Sequence, residues 1–132
     1  MSEFDALFNR SVLFDGCELI CYEAGSVSIR TSINSTDLNP YGNAHGGYLY
    51  TLCDTLAGVC AFSSGSYCVT MQADIHYIKA VKENDILIFS AETVHNGRKT
   101  KVVNVSVTHE EELICQASFS MYAVADTDHK NQ

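Results

Sequence analysis

The residues best suited to chemistry form one run, Asn39 to Gly47, which reads N-P-Y-G-N-A-H-G-G. The run ends in two glycines where a helical pattern begins. The first N–H groups of a helix have no internal partner and carry the positive end of its dipole. Gly46 and Gly47 could therefore donate hydrogen bonds to a developing oxyanion. The simpler interpretation is that the two glycines only allow a tight start of the helix against a neighbouring element.

Asp54 lies within the same helical pattern and is the only charged side chain between His45 and Asp74. None of the residues three or four positions away carries a charge; they are Tyr50, Thr51, Ala57 and Gly58. A carboxylate inside an apolar helix is costly unless it is paired or functional. Two interpretations stay open, a catalytic base and a core aspartate that is hydrogen-bonded to another strand.

Two weaker candidates follow along the chain. Thr70 lies in a predicted strand, where strict alternation places it on the same face as Cys68 and Gln72, and such a threonine is often only a strand former. Three basic residues cluster after the turn signal Asn96-Gly97, namely Arg98, Lys99 and Lys101. This cluster is either a solvated hairpin or an anion contact in an otherwise acidic protein.

The elements that must position these residues can be read from the hydrophobic pattern. From 45 to 62, apolar residues recur at 3–4 spacing and the other side is small rather than charged. This pattern predicts a helix buried on all sides, either wrapped by sheet or clamped between subunits. A short helix is predicted at 5–14, a turn-rich loop at 34–42 and a polar tail from 126. Alternating patterns predict strands at 17–23, 26–33, 67–78, 85–94, 100–108 and 113–124. Strands segregated from one long helix indicate an α+β fold with an antiparallel sheet, in which 85–94 is central because both its faces are apolar.

Composition narrows the class of protein. The 132 residues are 46% hydrophobic and 18% charged, which predicts a single globular domain over 1–132. The net charge of −8 argues against binding to nucleic acid or to a membrane surface. Neither a signal peptide nor a membrane span is visible, so we expect a cytoplasmic protein whose six cysteines are reduced. Their spacing does not suggest a metal site, and no nucleophile-elbow, P-loop or dinucleotide motif occurs.

The motif and the helix together resemble the PaaI-like hotdog-fold thioesterases of the phenylacetate-pathway type. Their pattern N-x-x-G-x-x-H-G-G followed by L-x-D matches this chain from Asn39 through Gly42 and His45-Gly46-Gly47 to Leu52-Cys53-Asp54. The resemblance implies one long helix wrapped by a curved antiparallel sheet of five to six strands. It also implies hydrolysis of an acyl-CoA to free acid and coenzyme A, without a cofactor other than the coenzyme A of the substrate.

The resemblance also implies a role for each matching residue. Asn39 orients the thioester or the attacking water, the Gly46 N–H polarises the thioester carbonyl, and Asp54 is the base or the nucleophile. Thr70 assists the water, and His45 is the motif histidine. Gly47 belongs to the substrate-binding residues, together with Gly97, Arg98 and Lys99, which lie where relatives place a hairpin near the coenzyme A phosphates. The segment 79–81 departs from the family, because relatives often carry a proline there.

Spacing and resemblance both indicate an oligomer. Gly46 and Asp54 are eight residues apart, which is about 12 Å along a helix and too far for both to contact one carbonyl. We therefore expect a site shared between two subunits, and the family resemblance implies a homodimer that is further paired into a homotetramer. Three alternatives remain: a hotdog dehydratase, a non-catalytic acyl-CoA-binding hotdog domain and a purely structural interaction domain.

Overall fold

The computed structural model describes residues 16–126, which contain six strands and one long helix, α1, Gly46–Ser63, preceded by a short 3-10 helix, Ser35–Asp37. The strands are β1 Glu18–Glu23, β2 Ser26–Ser32, β3 Ser66–Tyr77, β4 Ile86–Asn96, β5 Thr100–His109 and β6 Glu112–Asp126. These predicted elements are confirmed, with ends shifted by one or two residues. The helix predicted at 5–14 and the tail beyond residue 126 lie outside the described residues. In this part of the chain, no helix combines the length and hydropathy needed to cross a membrane.

The six strands form one antiparallel sheet in the order β1-β2-β4-β5-β6-β3. The prediction that β4 is an interior strand is confirmed, and β1 and β3 are the edges of the sheet formed by the described residues. The helix α1 packs on one face of the sheet, against β2, β3, β4, β5 and β6. This arrangement is the α+β hotdog fold that the motif resemblance implied.

Alternation along the strands builds the core between sheet and helix. In β5, Val103, Val105 and Val107 are fully buried, and the residues between them are half-buried. Leu52 and Leu56 are fully buried on the facing side of α1. Burying a valine or leucine side chain contributes about 1.5–3 kcal/mol, so this contact holds α1, and with it the motif residues, firmly on the sheet. All six cysteines fall within the described residues and are free thiols.

One side of α1, which borders the edge strand β3, is open in the single chain. Gly47 and Thr51 are exposed, and Asp54 and Gly58 are half-buried. The sheet of one chain therefore does not wrap the helix completely, and its burial between two subunits stays a prediction. The small residues on this side leave a surface that residues 16–126 do not cover.

A β-bulge in β3 reverses the alternation that the sequence predicts for this strand. Thr70 pairs with the buried Met121, whereas Gln72 pairs with Ser120 on the opposite face. Met71 is the extra residue, and one inserted residue switches the faces of all residues that follow. The prediction that Thr70 and Gln72 share a face is therefore wrong, and Thr70 faces the helix.

The strand β3 is a long edge with apolar side chains on its surface. It has 12 residues and pairs only with β6 among the described strands. Val69 is 52% exposed and Met71 is 56% exposed, and Ile78, the residue after the strand, is also exposed. An unpaired edge of this length and character favours pairing with another chain.

Candidate active site

The loop before α1 is held together by Asn39. Its side-chain Oδ1 accepts hydrogen bonds from the N–H groups of Tyr41 at 2.9 Å and Asn43 at 3.1 Å. The N–H of Asn39 donates to the carbonyl of Asn43 at 2.7 Å. Because this oxygen is used within the loop, the side-chain NH₂ group is the part of Asn39 that can contact a ligand.

The same loop is joined to the segment that follows β3. The N–H of Ala44 donates to the carbonyl of Val81 at 2.7 Å, and Asn43 forms a β-bridge with Lys82. Val81 itself is buried. The segment 79–81, where the resemblance expects a proline, therefore forms a wall of the site through these backbone bonds.

His45 is the N-cap of α1, and its ring nitrogen Nδ1 accepts a hydrogen bond from the N–H of Gly47 at 2.9 Å. The carbonyl of His45 accepts from the N–H groups of Tyr48 at 3.0 Å and Leu49 at 3.2 Å. Of the first four N–H groups of the helix, that of Gly46 alone has no acceptor among the described residues. The two glycines therefore differ, because Gly47 donates to the cap while Gly46 can donate to an anion.

A cavity of about 270 Å³ opens beside this end of the helix, and Asn39, Gly46, Leu49, Tyr77 and Lys79 contribute to its lining. Two larger clefts contain none of the motif residues. One of about 310 Å³ lies on the outer face of the sheet, and one of about 390 Å³ lies beside the β5–β6 turn. The hydroxyl of Tyr77 donates to the carbonyl of Gly46 at 2.8 Å. Sequence analysis did not find this contact, since it depends on where β3 ends relative to α1.

Asp54 and Thr70 meet on the open face of α1. The Thr70 hydroxyl donates to Asp54 Oδ1 at 2.6 Å, with Asp54 half-buried and Thr70 exposed. The described residues form no salt bridge with Asp54. The second oxygen, Oδ2, is therefore able to take a proton from a water molecule or to attack a carbonyl carbon.

The basic hairpin lies at the other end of the helix from Gly46. At the C-terminal end of α1, the Ser63 hydroxyl accepts a hydrogen bond from the N–H of Gly25 at 2.9 Å. The carbonyl of Gly25 in turn accepts from Thr93, close to the end of β4. The turn at 97–99 follows directly, so one chain does not bring it to Gly46.

The predicted substrate-binding residues of this hairpin differ in accessibility. Arg98 and Lys99 are exposed, whereas Lys101 is 3% exposed and bonds to the side chain of Asn96. Gly97 is needed because a Cβ atom there would lie 2.7 Å from the carbonyl oxygen of Thr100. Arg98 and Lys99 are thus the two cations that this turn offers to an anion.

A second basic pair, Lys79 and Lys82, lies near the cavity beside Gly46. The Lys79 ammonium donates to Glu112 at 2.7 Å. This hydrogen bond raises the pKa of Lys79, so the side chain stays charged but is already paired.

Burial, with a smaller contribution from Asp37, raises the pKa of Tyr48 to about 12, and burial also raises the pKa of Tyr77. Both tyrosines therefore keep their hydroxyl protons at neutral pH.

Comparison with known proteins identifies the class to which this fold and site belong. The sequence model of the Thioesterase superfamily matches residues 41–116, more than half of the chain. The matched region contains His45, all of α1 and Thr70. The chain therefore belongs to the thioesterase superfamily, and it is a thioesterase enzyme.

Three relatives place the chain more closely. A hypothetical thioesterase protein of Streptococcus pneumoniae TIGR4, solved with coenzyme A, is 38% identical, with a TM-score of 0.88 over 93% of this chain and 98% of that chain. The protein smu.793 of Streptococcus mutans UA159, solved bound to acetyl CoA, is 38% identical, with a TM-score of 0.83 over 86% of this chain and 92% of that one. The acyl-coenzyme A thioesterase PaaI of Escherichia coli strain K12 is 24% identical over 97 residues, 74% of this chain and 69% of PaaI.

Two further structures of the S. pneumoniae protein carry alanine in place of one aspartate and of one threonine. In that chain these two residues are sixteen positions apart. Asp54 and Thr70 have the same separation in this chain.

Proposed function

We propose that the protein hydrolyses an acyl-CoA thioester to a free carboxylic acid and coenzyme A. The observation that carries this proposal is the hydrogen bond of 2.6 Å between Thr70 and Asp54, on the open face of α1 in a chain of the thioesterase superfamily. The streptococcal relatives with coenzyme A and acetyl CoA, and PaaI as an acyl-CoA thioesterase, support the choice of substrate class. The sixteen-residue separation in the S. pneumoniae protein supports the choice of residues.

The active unit in this proposal is a dimer in which each site takes residues from both subunits. Gly46 and Asp54 are about 12 Å apart along one helix, so they serve one carbonyl only if a second chain supplies one of them. The exposed apolar edge of β3 and the open face of α1 are the surfaces available for such a contact. In this dimer, β3 of one subunit pairs antiparallel with β3 of the other, with their centres side by side. The Ser66 end of one strand then lies beside the Tyr77 end of the other.

This arrangement also brings the basic hairpin to the site. Ala123 of β6, which pairs with Cys68 near the start of β3, donates its N–H to the carbonyl of Lys99 at 2.8 Å. Reversing one β3 against another therefore moves the partner's hairpin toward the helix start of the first chain. Arg98 and Lys99 then offer two exposed charges to the coenzyme A phosphates near the Gly46 N–H.

The reaction needs a base or nucleophile, an oxyanion donor and water, and it uses no cofactor. As a base, Asp54 takes a proton from water while the hydroxide oxygen adds to the thioester carbon. The Gly46 N–H stabilises the resulting oxyanion, and collapse of this intermediate breaks the carbon–sulfur bond. The coenzyme A thiolate then takes up a proton. As a nucleophile, Asp54 adds to the thioester carbon and displaces the coenzyme A thiolate, which takes up a proton. Water then hydrolyses the resulting anhydride to the free acid and the Asp54 carboxylate. We propose a cytoplasmic location for this activity, consistent with six free thiols.

Release of free thiol from a panel of acyl-CoAs tests this proposal directly. Asp54→Asn removes the base and should lower kcat by about 10²–10⁴-fold on the best substrate. The matched control is Glu23→Gln, which changes an exposed carboxylate on β1, at the opposite edge of the sheet, and should leave kcat unchanged. Absence of thiol release from every acyl-CoA, or wild-type turnover by Asp54→Asn, would contradict the proposal.

A further inference from the structure

Tyr77, the last residue of β3, contacts Gly46 in two ways. Its hydroxyl donates to the Gly46 carbonyl at 2.8 Å. Its ring also covers Gly46 so closely that a Cβ atom there would lie 3.2 Å from the ring carbon Cζ and 3.3 Å from Cε1. A side chain at position 46 would push the ring away, so the glycine is what permits this contact.

The contact continues into the helix cap. The Gly46 carbonyl belongs to the same peptide unit as the N–H of Gly47, which donates to Nδ1 of His45 at 2.9 Å. Hydrogen bonds thus run from the Tyr77 hydroxyl through this peptide unit to the His45 ring. Because consecutive hydrogen bonds polarise one another, each strengthens the next, and together they fix the plane of the peptide unit from both sides.

A third side chain completes the support of this turn. The Thr51 hydroxyl donates to the carbonyl of Gly47 at 2.7 Å. The first turn of α1 is therefore held by Tyr77, His45 and Thr51, and it leaves the Gly46 N–H without an acceptor among the described residues. A rigid turn with one free donor is the arrangement that a preorganised oxyanion site requires.

We propose that Tyr77 is a positioning residue of the thioesterase reaction, which aims the Gly46 N–H at the thioester oxygen in the transition state. This inference rests on the proposed function. Removing one oxyanion donor altogether lowers kcat by about 10²–10³-fold. A less fixed orientation of the Gly46 N–H should cause part of that loss. Tyr77 acts through Gly46 and not on the reacting atoms.

The strand β3 therefore orients both parts of the machinery. Thr70 and Tyr77 pair with the buried Met121 and Cys115, so both lie on the face of β3 that meets α1. Thr70 bonds to Asp54, and Tyr77 bonds to Gly46 at the helix start. Burial raises the pKa of Tyr77, which keeps its hydroxyl protonated and able to donate.

Tyr77→Phe tests the proposal because it keeps the ring and removes only the hydroxyl. We expect kcat to fall about tenfold while KM stays within about twofold, since the oxyanion contact forms only in the transition state. The pH at half-maximal kcat should not move, because Tyr77 neither gives nor takes a proton in this role. The matched control is Tyr122→Phe, which removes a hydroxyl from the outer face of β6 and should leave both constants unchanged.

An independent measurement does not depend on turnover. In amide NMR spectra, Tyr77→Phe should shift the Gly47 amide proton upfield and speed its exchange, whereas Tyr122→Phe should do neither. Wild-type kcat in Tyr77→Phe, or a rise in KM alone, would overturn the inference and leave Tyr77 as a wall of the cavity. If the wild-type protein releases no thiol, the proposed function fails, and the amide spectra still decide whether Tyr77 orders the helix start.

Discussion

Three residues of one short motif have different tasks at the scale of single side chains. The Asn39 oxygen orders the loop, the His45 ring caps the helix, and the Gly46 N–H stays available. The sequence predicted that two glycine N–H groups could serve an oxyanion. Only the family resemblance assigned this role to Gly46, because the difference between the two glycines depends on the orientation of the His45 ring, which accepts from Gly47.

The hydrogen-bond partner of Asp54 could likewise not be predicted from the spacing of residues along the chain. The absence of basic residues three and four positions away correctly excluded a local ion pair. Thr70 could be named only through family resemblance, because sixteen residues and a turn separate it from Asp54. Only the packing of β3 against α1 brings the hydroxyl within 2.6 Å of the carboxylate.

Replacing Thr70 tests the role of this hydroxyl. Thr70→Ala removes the hydrogen bond to Asp54, so the carboxylate and its water lose their orientation, and we expect kcat to fall about 10–100-fold. Thr70→Ser keeps the hydroxyl and should retain most of the activity. Kinetics of thiol release should be compared with those of Thr108→Ala, a half-buried strand threonine at the end of β5 that lies away from the 97–99 turn. Equal kcat in Thr70→Ala and the wild type would show that the hydroxyl has only a structural role.

At the scale of elements, the period of the hydrophobic pattern predicted the helix and the strands correctly, but it did not predict the β-bulge in β3. Apolar residues on both faces correctly placed β4 inside the sheet, and 3–4 spacing correctly located α1. The bulge at Met71 leaves no mark on the alternation, so the face of Gln72 was predicted wrongly. The small residues on the open side of α1 indicate close packing, but they could not decide between a wrapping sheet and a second subunit, because they do not show which element packs there.

The hairpin between β4 and β5 provides a prediction at this scale. The protein carries a net charge of −8, so an anionic coenzyme must rely on local cations. Replacing both Arg98 and Lys99 with alanine should raise KM for acyl-CoA and leave kcat nearly unchanged, because the phosphates lie away from the reacting carbon. The effect should shrink with rising salt, since exposed charges are screened over about 10 Å at 0.1 M.

The matched control replaces Lys79 and Lys82, the basic pair near the cavity. Lys79 is already bonded to Glu112, so this change should affect KM less. A rise in KM confined to the Lys79 and Lys82 variant would place the phosphates at the cavity of the same chain. The salt dependence of each variant then reports which pair of charges the coenzyme meets.

At the scale of the whole molecule, the edge of β3 and the open side of α1 are two surfaces that one dimer would cover. Within residues 16–126, the apolar edge of β3 lacks a neighbouring strand, and nothing covers the side of α1 that carries Asp54. The eight-residue separation of Gly46 and Asp54 could be read from the sequence, and it led to the prediction of a second chain. The surface that we propose for this contact could not be read from the sequence, because it depends on which strand becomes the sheet edge.

A pair of complementary inactive variants tests the shared site. Asp54→Asn removes the base, and Gly46→Pro removes the free N–H at the first helical position, where proline is well tolerated. The extended backbone of His45, with φ of −66° and ψ of 131°, suits a following proline. The adjacent Tyr77 ring must shift by a few tenths of an ångström, so the circular dichroism of each variant should first be compared with that of the wild type.

The two variants, carrying different tags, are co-expressed, and dimers that contain one copy of each are isolated by successive affinity steps. If each site combines Asp54 of one subunit with Gly46 of the other, the mixed dimer contains one intact site and one doubly altered site. Its thiol release should then reach roughly half the wild-type rate, while each parent stays nearly inactive. A mixed dimer as inactive as its parents would show that Asp54 and Gly46 act within one chain, which would contradict the shared site.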